Sequence, residues 1–162
     1  MSPSRDQIIQ LRMLIREALA LEKRYPVAAG IAVVKKFDNE WMILGLRSAK
    51  PKHSGMFDLT KGMIDSGESS FEAAVRETYE ESGISPADLS FEWGRASKPC
   101  NSVTVYIAST KAEPFISPNP QTGKTEHTEA RWLTLDEFKD QCIGYLKPVA
   151  EWVRGIVNKD ST

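Results

Sequence analysis

Between residues 62 and 84 the chain reads GMIDSGESSFEAAVRETYEESGI, with its charged residues at fixed offsets behind a glycine loop. Gly62 is followed after five residues by Glu68, after seven more by Arg76 and Glu77, after two by Glu80 and Glu81, and after one by Gly83. On an α-helix the i, i+3, i+4 spacing of Glu77, Glu80 and Glu81 puts three carboxylates on one face. Like charges so placed cost about 0.2–0.5 kcal/mol per pair in an isolated helix. A cation bound between them would offset that cost; a solvated charged face is the alternative. The alternative gives no reason for a glycine at 62, an arginine at 76 or paired glutamates at these offsets. Mg²⁺, or Mn²⁺ in its place, takes oxygen ligands from carboxylates, water and substrate phosphates. Glu77, Glu80 and Glu81 could hold one ion or more, with Arg76 orienting a neighbouring carboxylate and Gly62 allowing close backbone approach. Phosphates on such an ion gain charge stabilisation and a nearby activated water.

The elements that must position these residues are legible in outline. Residues 4 to 24 read as a helix, with a capping box at Ser4 and Gln7 and a stripe through Ile8, Leu11, Ile15, Ala18 or Leu19, and Glu22, stopped by Pro26. Residues 27 to 37 and 41 to 47 read as a hairpin about Asp38-Asn39, and 56 to 60 as a short strand. Residues 61 to 67 read as loop, before a helix from about Ser69 to Ser82 that Gly83 stops. Phe71, Ala74, Val75 and Thr78 form its apolar stripe, roughly opposite the acidic residues. Strands are expected at 91 to 97, 102 to 110 and 129 to 133, with a long loop over 113 to 127. Thr134 and Glu137 open a helix to about Cys142 as a second capping box, and 145 to 158 form an amphipathic helix with Val149, Trp152, Val153 and Ile156 on one side. The mixture predicts an α/β sandwich.

Residues 62 to 84 resemble the Nudix box: glycine, five residues, glutamate, seven residues, Arg-Glu, aliphatic, any, Glu-Glu, any, glycine, aliphatic. Every charged and glycine position matches; Ile84 suits the last aliphatic place, and Thr78 departs at the other. The resemblance implies a Nudix-type α/β/α sandwich with a mixed β-sheet over residues 27–162 and an extra N-terminal helix over 1–26. It implies metal ligation by the Gly62 carbonyl and by Glu77, Glu80 and Glu81, with Arg76 positioning Glu77 and Glu68 a carboxylate behind them. Glu77 would also act on the attacking water. The implied reaction is hydrolysis of a phosphoanhydride in a nucleoside diphosphate linked to another moiety.

Glu126 stands six residues ahead of Trp132, a spacing similar to the family's extra ligand or base; Glu129 is the fallback. The segment EHTEARWLTLDEF, and Lys61 directly before Gly62, resemble diadenosine tetraphosphate hydrolases within the family. Thr60 stands where those hydrolases usually carry proline, and Phe57 where tryptophan is usual. A pyrophosphohydrolase for damaged dNTPs or for RNA 5′ ends is the alternative with the same chemistry; a non-catalytic nucleotide-binding module is the alternative of another class. His127 could bond a phosphate or help activate water, or be an exposed loop histidine. Arg47, Lys50, Lys52 and Lys61 could neutralise a polyphosphate, although Lys50 and Lys52 taken singly read as solvated. Tyr106 is a candidate for stacking on a nucleobase, with core packing as its alternative; Trp132 and Trp152 read as core.

Bulk properties bound the rest. A chain of 162 residues with 41% hydrophobic and 27% charged content suits one domain with a proper core. A net charge of −1 gives no footprint for a DNA duplex or an anionic membrane, and no apolar run spans a bilayer. The N-terminus lacks a signal-peptide pattern. Cys100 and Cys142, distant and without CxxC spacing, read as free thiols in a reducing compartment, hence the cytoplasm. The N-terminal stripe needs a partner: the edge of the sandwich, or a second copy in a homodimer.

Overall fold

The computed structural model describes residues 2–24, 26–119 and 122–159, with backbone only for 16–24. A first helix, α1 (Arg5–Arg24), opens on the expected box: the Ser4 Oγ accepts from the Gln7 N–H at 3.2 Å, and the Gln7 side chain accepts from the Ser4 N–H at 2.8 Å. The described part of its stripe is exposed. Ile8, Leu11 and Ile15 are 38%, 59% and 51% exposed. The side chains of Ala18, Leu19 and Glu22 lie outside the described residues.

Strands β1 (Ala28–Phe37) and β2 (Glu40–Ser48) form the predicted hairpin. Asp38 and Asn39 turn it with φ of 45° and 70°, the left-handed pair that matches strand twist in a two-residue turn. β2 pairs only with the second half of β1, from Val34 to Phe37. The first half of that edge, Ala28 to Ile31, is taken by β4 (Thr60–Met63), which follows the two-residue β3 (Phe57–Asp58). Residues 61 to 63 are therefore strand rather than the loop their sequence suggests. A short segment with Gly62 at its centre carries no apolar alternation; the vacant edge of β1 recruits it. On the other edge, β1 runs parallel to β6 (Val103–Ser109), which pairs with β5 (Ser97–Cys100). β7 (His127–Thr134) lies antiparallel to β2, and the sheet is mixed as expected.

Residues 91 to 96 are not a strand. Gly94 takes a φ of +69° in a turn, and pairing resumes only at Ser97. Trp93 instead packs edge-on against Trp41 at 5.4 Å.

Alternation along β1 divides the core. Ala29, Ile31 and Val33 face α2 (Ser70–Ser82), whose buried residues are Ala73, Ala74, Thr78 and Ser82. Ala32 and Val34 face the opposite layer, α3 (Leu135–Gln141) and α4 (Lys147–Lys159), where Phe138, Val149 and Val153 are fully buried. Ser69 caps α2 by accepting from the Glu72 N–H, and the expected box forms on α3, where Thr134 and Glu137 exchange bonds. Pro148 falls in the first turn of α4, where its missing N–H costs nothing. Cys100 and Cys142 are buried free thiols.

Candidate active site

The α2 face that is turned from the core meets β4 across a cleft of about 510 Å³. Gly62, Glu77, Glu80 and Glu81 line it, joined by Glu126 and His127 from the start of β7. Two features bring distant sequence to this point. β4 runs beside α2 because it completes the edge of β1. The beginning of β7 is tied to β2 where the register slips between Arg47 and Ser48, and the Ala49 N–H donates to the Glu126 carbonyl at 3.0 Å.

Gly62 leaves room for the Glu77 carboxylate to lie against the β4 backbone. A Cβ there would overlap the Glu77 carboxylate. Arg76 carries the charge balance. Its Nε and one terminal nitrogen grip Glu68 at 2.7 and 2.9 Å, a two-point pair. Its other terminal nitrogen donates to Glu77 at 2.9 Å and Glu80 at 3.2 Å, and the guanidinium also reaches the Met63 carbonyl at 2.9 Å. Glu68 thus stands behind Arg76, which in turn orients Glu77. The Arg76 bonds hold the Glu68 carboxyl below its usual range. Glu77 moves the other way: burial raises it, against the pull of Arg76. Burial also pushes Glu81 well up, although its Oε1 accepts the Lys61 N–H at 2.7 Å. Glu77 and Asp58 add repulsion at Glu81, and Glu80 and Glu126 add it at Glu77.

This donor set fits a divalent ion. Crowded, half-buried carboxylates that resist ionisation are the environment that a hard cation relieves. Glu81, Glu126 and His127 each place one donor atom within 4.8 Å of the others.

Not every candidate from the sequence reaches the cleft. Tyr106 is 8% exposed and packs edge-on to Phe71 at 5.2 Å, its hydroxyl 2.6 Å from Ser70 Oγ. It belongs to the α2 core, so a stacking role for it is corrected. Arg47 is also drawn away: its Nε donates to Glu129 at 2.9 Å, a terminal nitrogen donates to the Gly55 carbonyl at 3.0 Å, and its plane covers Phe57. Glu129 is thereby occupied, as it is by Arg131, and it is not a fallback ligand. Lys61 lines the cleft, but its ammonium is 3.1 Å from Asp58 Oδ2. Burial works against that charge, yet Asp58 and the Tyr145 hydroxyl outweigh it and hold the ammonium above its ordinary range. Lys50 does line the cleft.

Asp58 and Tyr145 are the partners sequence reasoning missed. Asp58 sits in an apolar stretch with no charge pattern, and Tyr145 is distant in sequence. Two of the three departures from the box and its flank turn out to be partners. Thr60 and Thr78, both essentially buried, have hydroxyls 2.8 Å apart, and Thr78 also donates to the Ala74 carbonyl at 2.8 Å.

Residues 24–154 match the model of the NUDIX domain. The chain belongs to the Nudix family. It is 26% identical over 117 residues to a bis(5′-nucleosyl)-tetraphosphatase (asymmetrical) of Caenorhabditis elegans, covering 68% of this chain and 80% of that protein. It is also 26% identical over 147 residues to an RNA pyrophosphohydrolase of Bartonella tribocorum, covering 77% of this chain and 85% of the relative. A C. elegans Ap4A hydrolase binary complex superposes with a TM-score of 0.67 at 20% identity, over 82% of this chain and 97% of that one. The α/β/α sandwich is thus the Nudix fold, with α1 added ahead of it. The protein is a Nudix pyrophosphohydrolase acting on acid anhydrides in phosphorus-containing substrates. Nudix enzymes act on small nucleotide substrates and generally use divalent metals. Among the described residues, no helix is long and apolar enough to cross a membrane.

Proposed function

We propose that this protein is a Mg²⁺-dependent hydrolase of dinucleoside polyphosphates, with diadenosine tetraphosphate as the best candidate. The observation that carries the reaction is the convergence of Glu77, Glu80, Glu81 and Glu126 on one cleft beside Gly62. The substrate class rests on the flanking residues Lys61 and EHTEARW and on similarity to the C. elegans tetraphosphatase.

A divalent ion bound by these carboxylates would neutralise phosphate charge and acidify a water molecule. The chain's own groups do the rest. Arg76 fixes Glu77 through the 2.9 Å bond, and Glu68 holds Arg76 in turn. Lys50 adds positive charge at the cleft for a polyphosphate. Water attacks phosphorus, a phosphoanhydride P–O bond breaks, and two phosphorylated products leave. Glu77 or Glu126 takes the proton of that water, whichever keeps a free oxygen.

The test is a substrate panel read by mass: diadenosine tetraphosphate, ADP-ribose, nucleotide sugars, damaged dNTPs and 5′-triphosphorylated RNA, each with Mg²⁺ in ¹⁸O-water. Mononucleotide products from diadenosine tetraphosphate are expected. Preference for triphosphorylated RNA would move the assignment towards the Bartonella relative, and no turnover on any member would sink it. Glu80→Gln should lower the rate by roughly 10²-fold. A Glu80→Gln rate equal to wild type would remove Glu80 from the site.

A further inference from the structure

The geometry points to His127 as a nitrogen ligand in the cleft, forming with Glu81 and Glu126 a mixed nitrogen–oxygen site for a first-row transition ion such as Mn²⁺. The inference rests on the reading of the cleft as a divalent-cation site and adds a ligand that the box motif does not contain. His127 is 6% exposed, and its Nδ1 is 3.6 Å from Glu81 Oε2, beyond hydrogen-bond length. Among the described residues its ring makes no hydrogen bond. The ring lines the cleft beside Glu81 and Glu126, where a nitrogen lone pair is available to a cation held there.

The backbone offers no easy escape for the ring. His127 is the first residue of β7, paired opposite Ser48, directly after the carbonyl of Glu126 is tied to Ala49. Its donor atom and one oxygen each of Glu81 and Glu126 already lie within 4.8 Å of one another. Two donors at about 2.1 Å from one ion sit at most about 4.2 Å apart. A small rotation of the exposed Glu126 side chain closes the difference.

Carboxylate oxygens alone suit Mg²⁺; an imidazole nitrogen shifts preference towards transition ions. The other carboxylates of the box, Glu77 and Glu80, remain an oxygen-only half suited to Mg²⁺. The cleft then has two unlike halves.

The test loads the full-length protein with Mn²⁺ and records electron spin echo envelope modulation. Histidine nitrogen modulation is expected, unchanged in His53→Gln and absent in His127→Gln. Growth on heavy-nitrogen histidine should shift those modulation frequencies in the unsubstituted protein, which keeps the test independent of how His127→Gln folds. Calorimetry should show the ratio of Mn²⁺ to Mg²⁺ affinity falling about tenfold or more in His127→Gln. Mn²⁺ binding that Glu80→Gln weakens, but with no histidine modulation, would overturn the histidine ligand and leave the cleft a cation site. No divalent binding at all would overturn both.

Discussion

The two faces of the sheet use helices of similar length for opposite purposes. On one, α4 and α3 press Phe138, Val149, Val153 and Val157 into an apolar core. On the other, α2 buries small residues, Ala73, Ala74, Thr78 and Ser82, and displays a carboxylate array held by Arg76. Small side chains let α2 approach β1 and β4 closely enough for Glu77 to overhang Gly62. Bulk packing supplies stability on one side; close approach supplies geometry on the other.

If that division holds, substitutions on the α4 side should change stability and leave chemistry alone. Phe138→Ala, at a fully buried ring, should cost about 3–5 kcal/mol in denaturant unfolding while the folded fraction keeps its kcat. A changed kcat at low temperature would break the division. Gly62→Ala is the converse. The added methyl must displace the Glu77 carboxylate, so kcat should fall by about 10²-fold with little change in melting temperature. An active Gly62→Ala protein would show that Glu77 tolerates displacement.

Thr78→Val probes the boundary, because it restores an aliphatic residue and removes the hydroxyl between Thr60 and Ala74. The Thr60 hydroxyl is then released to donate to the Ile31 carbonyl 3.2 Å away, so a loss of about 1 kcal/mol in chemical denaturation is expected. A gain in stability would mean that the threonine pair serves the site rather than the fold.

The smallest effect belongs to the α3 capping box. Glu137→Ala should cost under about 1 kcal/mol at neutral pH. The Glu137 carboxyl is held below its ordinary range by the Thr134 N–H and hydroxyl. A folded-state pKa so depressed contributes stability above the unfolded value, near about 4.3, and loses it as pH falls through the folded one. The gap between wild type and variant should therefore close on acidification. A gap that widens in acid would contradict the cap.

The helices show how far sequence periodicity reaches. Both α1 and α2 were legible as helices, with caps at Ser4 and Gly83, since caps and turns are local chemistry. Their partners were not. The α2 stripe finds the sheet, whereas the described part of the α1 stripe remains exposed. Likewise Tyr106 and Arg47 carried plausible binding chemistry. Their fates depended on Ser70 and Glu129, residues 36 and 82 positions away in sequence.

Sequence alone marked out the candidate site residues, because one helix turn converts fixed offsets into a shared face and a glycine into a close approach. It named Glu77, Glu80, Glu81, Arg76 and Gly62, along with Glu126 and His127 beyond them. Only the tertiary structure decided which side chains point into the cleft. It turned Arg47 aside, buried Tyr106, tied Lys61 to Asp58 and left the His127 ring facing Glu81. Side-chain direction across a sheet follows from register, and register between distant strands is set by which edges remain unpaired.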